Sequence, residues 1–147
     1  MIRASLDSNI LIYAALEPQT AKGKAAADLI ARVAPRGVIA NQALLEFVAV
    51  VQRRAPSLVG QAIRQVDLWS KAFETAATND RVVAEGLEMM SQHHFQVWDA
   101  IIWAAARQAG ASVFFTEDLQ DGFAKDGMRA CNPFVRDAAA LQAIVGA

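Results

Sequence analysis

A single cysteine, Cys131, excludes an internal disulfide and any zinc site built from several thiolates. Its strand-like setting, MRAC, is that of a small core residue. Long apolar runs are also missing. Uncharged stretches such as AIIWAAA fall far short of the roughly 20 residues that span a bilayer. The start, MIRASLDSN, has no apolar segment of the secretory kind, so a cytoplasmic location and no membrane partner are expected. The only histidines, His93 and His94, are adjacent and diverge on a helix instead of forming an i, i+4 metal pair; they fit a helix end or the surface. There is no excess of positive charge either. The net charge of -1 and pI near 6.1 lack the basicity of many nucleic-acid binders, so any RNA or DNA contact must come from a local patch plus a bound metal. Internal repeats, low-complexity tracts and long linkers are absent.

What is there suits one domain across residues 1–147: 54% of the 147 residues are apolar, enough for a proper core. Short strand-like runs alternate with longer helical ones, the pattern of an α/β domain with a parallel sheet. The strands are expected at Arg3 to Leu6, Gly37 to Ala40, Ser112 to Thr116 and Met128 to Cys131, with Phe73 to Ala76 as a further edge strand. Ser8 or Asn9 is placed to cap a first helix through Leu16, which Pro18 closes. A second helix is expected from Thr20 to Val33, and a third, capped by Asn41, to Arg54 before Pro56. Ser57 is placed to cap a fourth helix with Leu58, Ala62, Val66 and Trp69 on one face. Asn79 is placed to cap a fifth, with Val82, Val83, Gly86, Leu87 and Met90 sharing a face and the end near His93. Another runs from Val97 to Ala109, where Gly110 stops it, and Asp137 to Val145 forms a terminal helix.

Against this apolar background four acids stand out. Asp7 follows the first strand and Asp118 follows VFFT; Glu46 lies inside NQALLEFVAVV, and Asp99 interrupts QVWDAIIWAAA. Each has an ordinary explanation alone. Asp7 fits a capping turn in DSN, Asp118 a turn in TEDLQDG, Asp99 the favourable first turn of a helix, and Glu46 a wet helical stripe. All four explanations must hold together for a site to vanish. A carboxylate carried toward a core costs several kcal/mol unless it finds a cation or hydrogen bonds, so a shared divalent ion is the economical partner. In open parallel sheets ligands bind beyond the carboxyl ends of the strands, where Asp7 and Asp118 fall. Two strand-end acids and two helix acids converging there supply the hard oxygen ligands that magnesium and manganese prefer.

The same segments carry a resemblance. LDSNILIYA resembles the opening motif of PIN-domain ribonucleases, and LLEF, WDAIIWAAA and FFTEDLQDG are similar to the acidic motifs that follow in that family. GMRACNPF resembles the closing strand and turn of the VapC toxin-like branch, so the likeness covers nearly the whole chain. The resemblance implies a three-layer α/β/α domain with a central parallel sheet of strand order 3-2-1-4-5. It implies a Mg2+- or Mn2+-dependent endoribonuclease site in which Asp7, Glu46, Asp99 and Asp118 form the acidic pocket. Asp7 and Asp99 are the leading direct metal ligands, and Asn9 and Thr116 match supporting polar positions. RNA hydrolysis leaving a 5′-phosphate and a 3′-hydroxyl, a homodimer and a cognate antitoxin follow from the same likeness. Asp121 fits a turn better than the rim of the site.

Lys22, Lys24, Arg32, Arg36, Arg53 and Arg54 are candidate phosphate contacts, although scattered solvated charge explains any one of them. Trp98 and Trp103 flank Asp99; core packing is the expectation for both, base stacking the alternative. A haloacid dehalogenase-type phosphatase needs a second aspartate two positions after the first, where this chain has Asn9. A non-catalytic PIN-like module that binds RNA or regulates is the remaining alternative to an enzyme.

Overall fold

The computed structural model describes residues 2–146. Its strands are β1 (Ala4–Leu6), β2 (Val38–Ala40), β3 (Glu74–Ala76), β4 (Val113–Phe115), β5 (Ala124–Lys125) and β6 (Met128–Cys131). The helices are α1 (Ser8–Leu16), α2 (Ala21–Val33), α3 (Asn41–Arg54), α4 (Val59–Ala72), α5 (Asp80–His93), α6 (Val97–Gln108) and α7 (Ala138–Val145). Spatial order across the sheet is β3-β2-β1-β4-β6-β5. The first five of these strands pair in parallel, so the order that the resemblance implies holds, with β6 in the place of its fifth strand.

The added strand is β5, which pairs antiparallel to β6 through Lys125 and Met128. Asp126 and Gly127 join them with φ of 51° and 87°, the left-handed pair that a tight hairpin turn requires. Every residue of β1 and β2 is buried, as expected of central parallel strands covered on both faces. α2 lies against β1 and α6 against β2, while α5 packs along α6. Among the described residues no helix is long and apolar enough to cross a membrane.

Several local expectations change. Asp7, not Ser8 or Asn9, is the cap of α1. Neither Asn41 nor Ser57 caps through its side chain: α3 begins at Asn41 itself, and Ser57 lies in a tight turn from Pro56 to Leu58 ahead of α4. Asn79 does cap α5, accepting from the Val82 N–H at 3.0 Å. The buried line of that helix is Val82, Gly86 and Met89, whereas Val83 and Leu87 face solvent. Packing decides this rotation, because Gly86 has no side chain and lets Ile101 of α6 approach closely. Trp103 is fully buried as expected, but Trp98 is 45% exposed, lying in the first turn of α6 before that helix enters the core at Ala100.

The corner between α1 and α2 is tight. Thr20 donates its hydroxyl to the Glu17 carbonyl at 2.8 Å and accepts from the Gly23 N–H at 3.0 Å. A Cβ at position 23 would overlap the backbone carbonyl of Glu17, which cannot swing aside as a flexible side chain can. Gly23→Ala is therefore expected to destabilise the protein by about 1–3 kcal/mol, as overpacking does, read as a lower midpoint in chemical denaturation. An unchanged midpoint would show that this corner relaxes freely.

Candidate metal centre

Asp7 leaves β1 where β4 runs beside it, and its N–H donates to the Phe115 carbonyl at 2.9 Å. As the cap of α1 it holds extended backbone, and one carboxylate oxygen accepts from the Ser8 N–H at 2.7 Å. The other accepts from the Thr116 hydroxyl at 2.7 Å. Asp7 is 1% exposed, so this acid is both the start of a helix and a buried charge. Thr116 has a second task, since its oxygen accepts the Asp118 N–H at 3.0 Å and so fixes the loop after β4. Asn9 reaches the same hydroxyl more loosely, at 3.4 Å, and its own side-chain oxygen is buried with no partner among the described residues.

Two helices complete the cluster. The side chain of Gln96 caps α6 by accepting from the N–H groups of Trp98 and Asp99 at 2.9 and 3.2 Å, which pins the first turn. This places an oxygen of Asp99 with oxygens of Asp7 and Asp118, all within 4.8 Å of one another. Glu46 stands outside that triad but beside it. One of its oxygens takes a long hydrogen bond of 3.4 Å from the Ser8 hydroxyl, and the other is buried without a partner among the described residues. The sequence marks Ser8 only as a candidate cap of α1; the structure makes it a partner of Glu46 in the site.

Like charges and burial dominate the electrostatics. Burial pushes the Asp7 carboxyl from its ordinary 3.8 to about 7; hydrogen bonds from Thr116 and Ser8 oppose this, and the charges of Asp99 and Asp118 add to it. Burial, then the charges of Asp99 and Asp118, raise Glu46 against the Ser8 hydrogen bond. Burial, then Asp118, raise Asp99. Among the described residues, no Lys, Arg or His forms an ion pair with any of these acids. Three hard oxygen donors, close together and without a counter-ion from the protein, fit a divalent cation such as magnesium or manganese.

Of the candidate basic residues, Lys22, Arg32 and Arg54 are already engaged. Lys22 pairs with Glu117, the residue between Thr116 and Asp118, and lies 5.0 and 5.3 Å from the ring centroids of Tyr13 and Phe134. Tyr13 also donates to Glu117. Against the cost of burial, the Lys22 and Tyr13 hydrogen bonds hold the Glu117 carboxyl below its usual range. Lys22 is thus the candidate basic residue that the fold ties to the loop carrying Asp118. Arg32 binds Asp28 and Gln142, and Arg54 lies 3.9 Å from Glu17. Asp121 lies in a turn, but its carboxylate accepts from the Asn132 N–H and from Arg136, tying that turn to the segment after β6. His93 ends α5, and His94 closes it with φ of 59°.

With this geometry in view, a family model for the PIN domain matches residues 4–125. The fold is similar to that of Mycobacterium tuberculosis VapC20, described as a sarcin-ricin loop cleaving toxin, with TM-score 0.66 and 19% identity over 78% of this chain and 91% of that one. It is also similar to a toxin-antitoxin complex from Klebsiella pneumoniae, with TM-score 0.66 and 19% identity over 88% and 97% of the two chains. DNA-bound VapBC from Salmonella typhimurium gives TM-score 0.65 and 15% identity over 88% and 97%. No curated protein matches the sequence.

The raised Asp7 carboxyl has a signed consequence. Unfolded chain ionises this group near 3.8 and folded chain near 7, so the folded state binds the extra proton between those values. The stability it contributes is fully present below about pH 4 and is lost as pH rises toward about 7. In metal-free protein, Asp7→Asn is expected to be the more stable form above pH 7 by a few kcal/mol, with the advantage shrinking to nothing near pH 4. Thermal melts of both proteins across that range test it; a constant difference would show that Asp7 ionises normally.

Proposed function

The chain belongs to the PIN-domain family, and from that premise we propose that it is a magnesium- or manganese-dependent endoribonuclease and the toxin of a VapC-like toxin-antitoxin pair. The observation that carries this reading is the convergence of Asp7, Asp99 and Asp118 within 4.8 Å, with Asp7 buried and, among the described residues, no ion pair to neutralise them. Those three residues would hold the ion. When bound, a divalent ion supplies a water of lowered pKa and positive charge against the scissile phosphate.

The chain's own residues do the rest. Thr116 fixes the Asp7 carboxylate and, through the Asp118 N–H, the loop on the other side of the pocket. Ser8 orients one oxygen of Glu46 and leaves the other free to take the proton of the attacking water. The raised carboxyl of Glu46 suits such a base better than an ordinary exposed glutamate. Attack at phosphorus breaks the bond to the 3′ oxygen, leaving a 5′-phosphate and a 3′-hydroxyl. Asn9 supports the site through Thr116.

The same reading supplies partners. Exposed Leu45, Ile63, Leu68 and Leu87 offer apolar surface for a homodimer and for an antitoxin segment whose basic side chain would enter the acidic pocket. The place of action is the cytoplasm. Magnesium or manganese is expected to raise the melting temperature of the native protein and to support RNA cleavage. Asp99→Asn and Asp118→Asn should each lose the thermal shift and reduce cleavage by at least about a hundredfold. Unchanged melting and no cleavage in either metal, tested on structured RNAs, would leave the chain as a non-catalytic binding module.

A further inference from the structure

We propose that Trp98 is a stacking platform for a nucleobase of the RNA strand whose phosphate is held by the divalent ion of the acidic triad, an inference that rests on the nuclease reading above. The three tryptophans of the chain have different fates. Trp103 is fully buried and meets Phe95, Phe114 and Phe123 edge to face, and Trp69 is 7% exposed against Phe47. Trp98 is 45% exposed and, among the described residues, has no aromatic partner; it is the one aromatic among the exposed large apolar side chains. An indole left in water contributes little to the core, and this one is not on a loose segment. Gln96 accepts from the backbone N–H groups of both Trp98 and Asp99, so the pinned turn that carries the metal-site carboxylate also carries the indole.

The spacing suits a nucleotide. Consecutive Cα atoms lie about 3.8 Å apart, and their side chains leave the helix roughly 100° apart, so Trp98 stands beside Asp99 without obstructing it. A nucleotide carries its base to one side of its phosphate across the sugar. A phosphate drawn to a divalent ion held by Asp7, Asp99 and Asp118 would carry its base to one side of the ion, and on this proposal that side is the one the indole occupies. Stacking would recover the apolar burial that the fold leaves unused, and it tolerates any base because each presents a π face. An apolar partner surface would cover Trp98 equally well by area, but it would not explain why the aromatic shares its anchoring turn with a ligand of the triad.

Because the other two tryptophans are buried, Trp98 is the one that solute quenchers reach. Acrylamide is expected to quench one accessible class of tryptophan in the free native protein. A short mixed-sequence single-stranded RNA added with magnesium should quench that same class and protect it from acrylamide, and Trp98→Ala should lose both effects. In cleavage assays Trp98→Ala should raise KM by about tenfold while Trp98→Phe stays within about threefold of native. Both variants should keep the magnesium-induced rise in melting temperature, which separates a lost platform from a damaged metal site. An accessible class already hidden in the free protein, or an unchanged KM in Trp98→Ala, would overturn the proposal. If native protein cleaves no RNA, the nuclease reading falls, while RNA quenching that depends on Trp98 would still support the platform.

Discussion

The hydrogen bond from Thr116 to Asp7 joins the carboxyl ends of two neighbouring strands at the point where the chain order of the sheet reverses. On one side of β1 lies β2 and on the other β4, so the loops leaving β1 and β4 open a crevice between them. Asp7 is buried there with two side-chain hydrogen bonds and, among the described residues, no ion pair, and Thr116 also holds the Asp118 N–H. Everything else in the site is arranged around that fixed carboxylate. α6 brings Asp99 to it through a first turn pinned by Gln96, and α3 brings Glu46 within reach of Ser8.

Such an arrangement costs the fold stability, and the cost identifies its use. Hydrogen bonds from Thr116 and Ser8 lower the Asp7 carboxyl, yet burial and the neighbouring acids outweigh them. The chain could have placed a lysine or arginine there. Instead Lys22 is paired to Glu117, one residue away from Asp118, and lies over two aromatic rings. A pocket kept negative in this manner is suited to an ion from solution, and an anionic substrate follows that ion in. The exposed Trp98, sharing its turn with Asp99, extends the same surface toward an aromatic ligand.

The parts of this that were legible in the sequence were the ones written in local pattern. Four acids in or directly after apolar elements, the parallel strands and most helix spans follow from alternation, periodicity and the Asn79 cap. The two-residue strand β5 was too short to register, even though the Asp126–Gly127 turn that creates it was visible as a dipeptide. The outward rotation of Val83 and Leu87 depends on Gly86 meeting Ile101, a contact between helices that periodicity does not encode. The Tyr13, Lys22 and Glu117 network joins residues about a hundred positions apart, beyond any spacing rule. Trp98 looked like core because its neighbours in sequence are apolar, but the first turn of a helix can precede the core that the rest of it enters.

The central claim is that Asp7, Asp99 and Asp118 jointly bind one divalent cation at the end of β1 and β4. The most direct measurement is anomalous diffraction from crystals of the protein grown with manganese. The account predicts an anomalous peak about 2.0–2.2 Å from a carboxylate oxygen of both Asp7 and Asp99, with Asp118 bound directly or through water. A peak that engages neither Asp7 nor Asp99, or no ordered manganese in the crevice at saturating concentration, would contradict it.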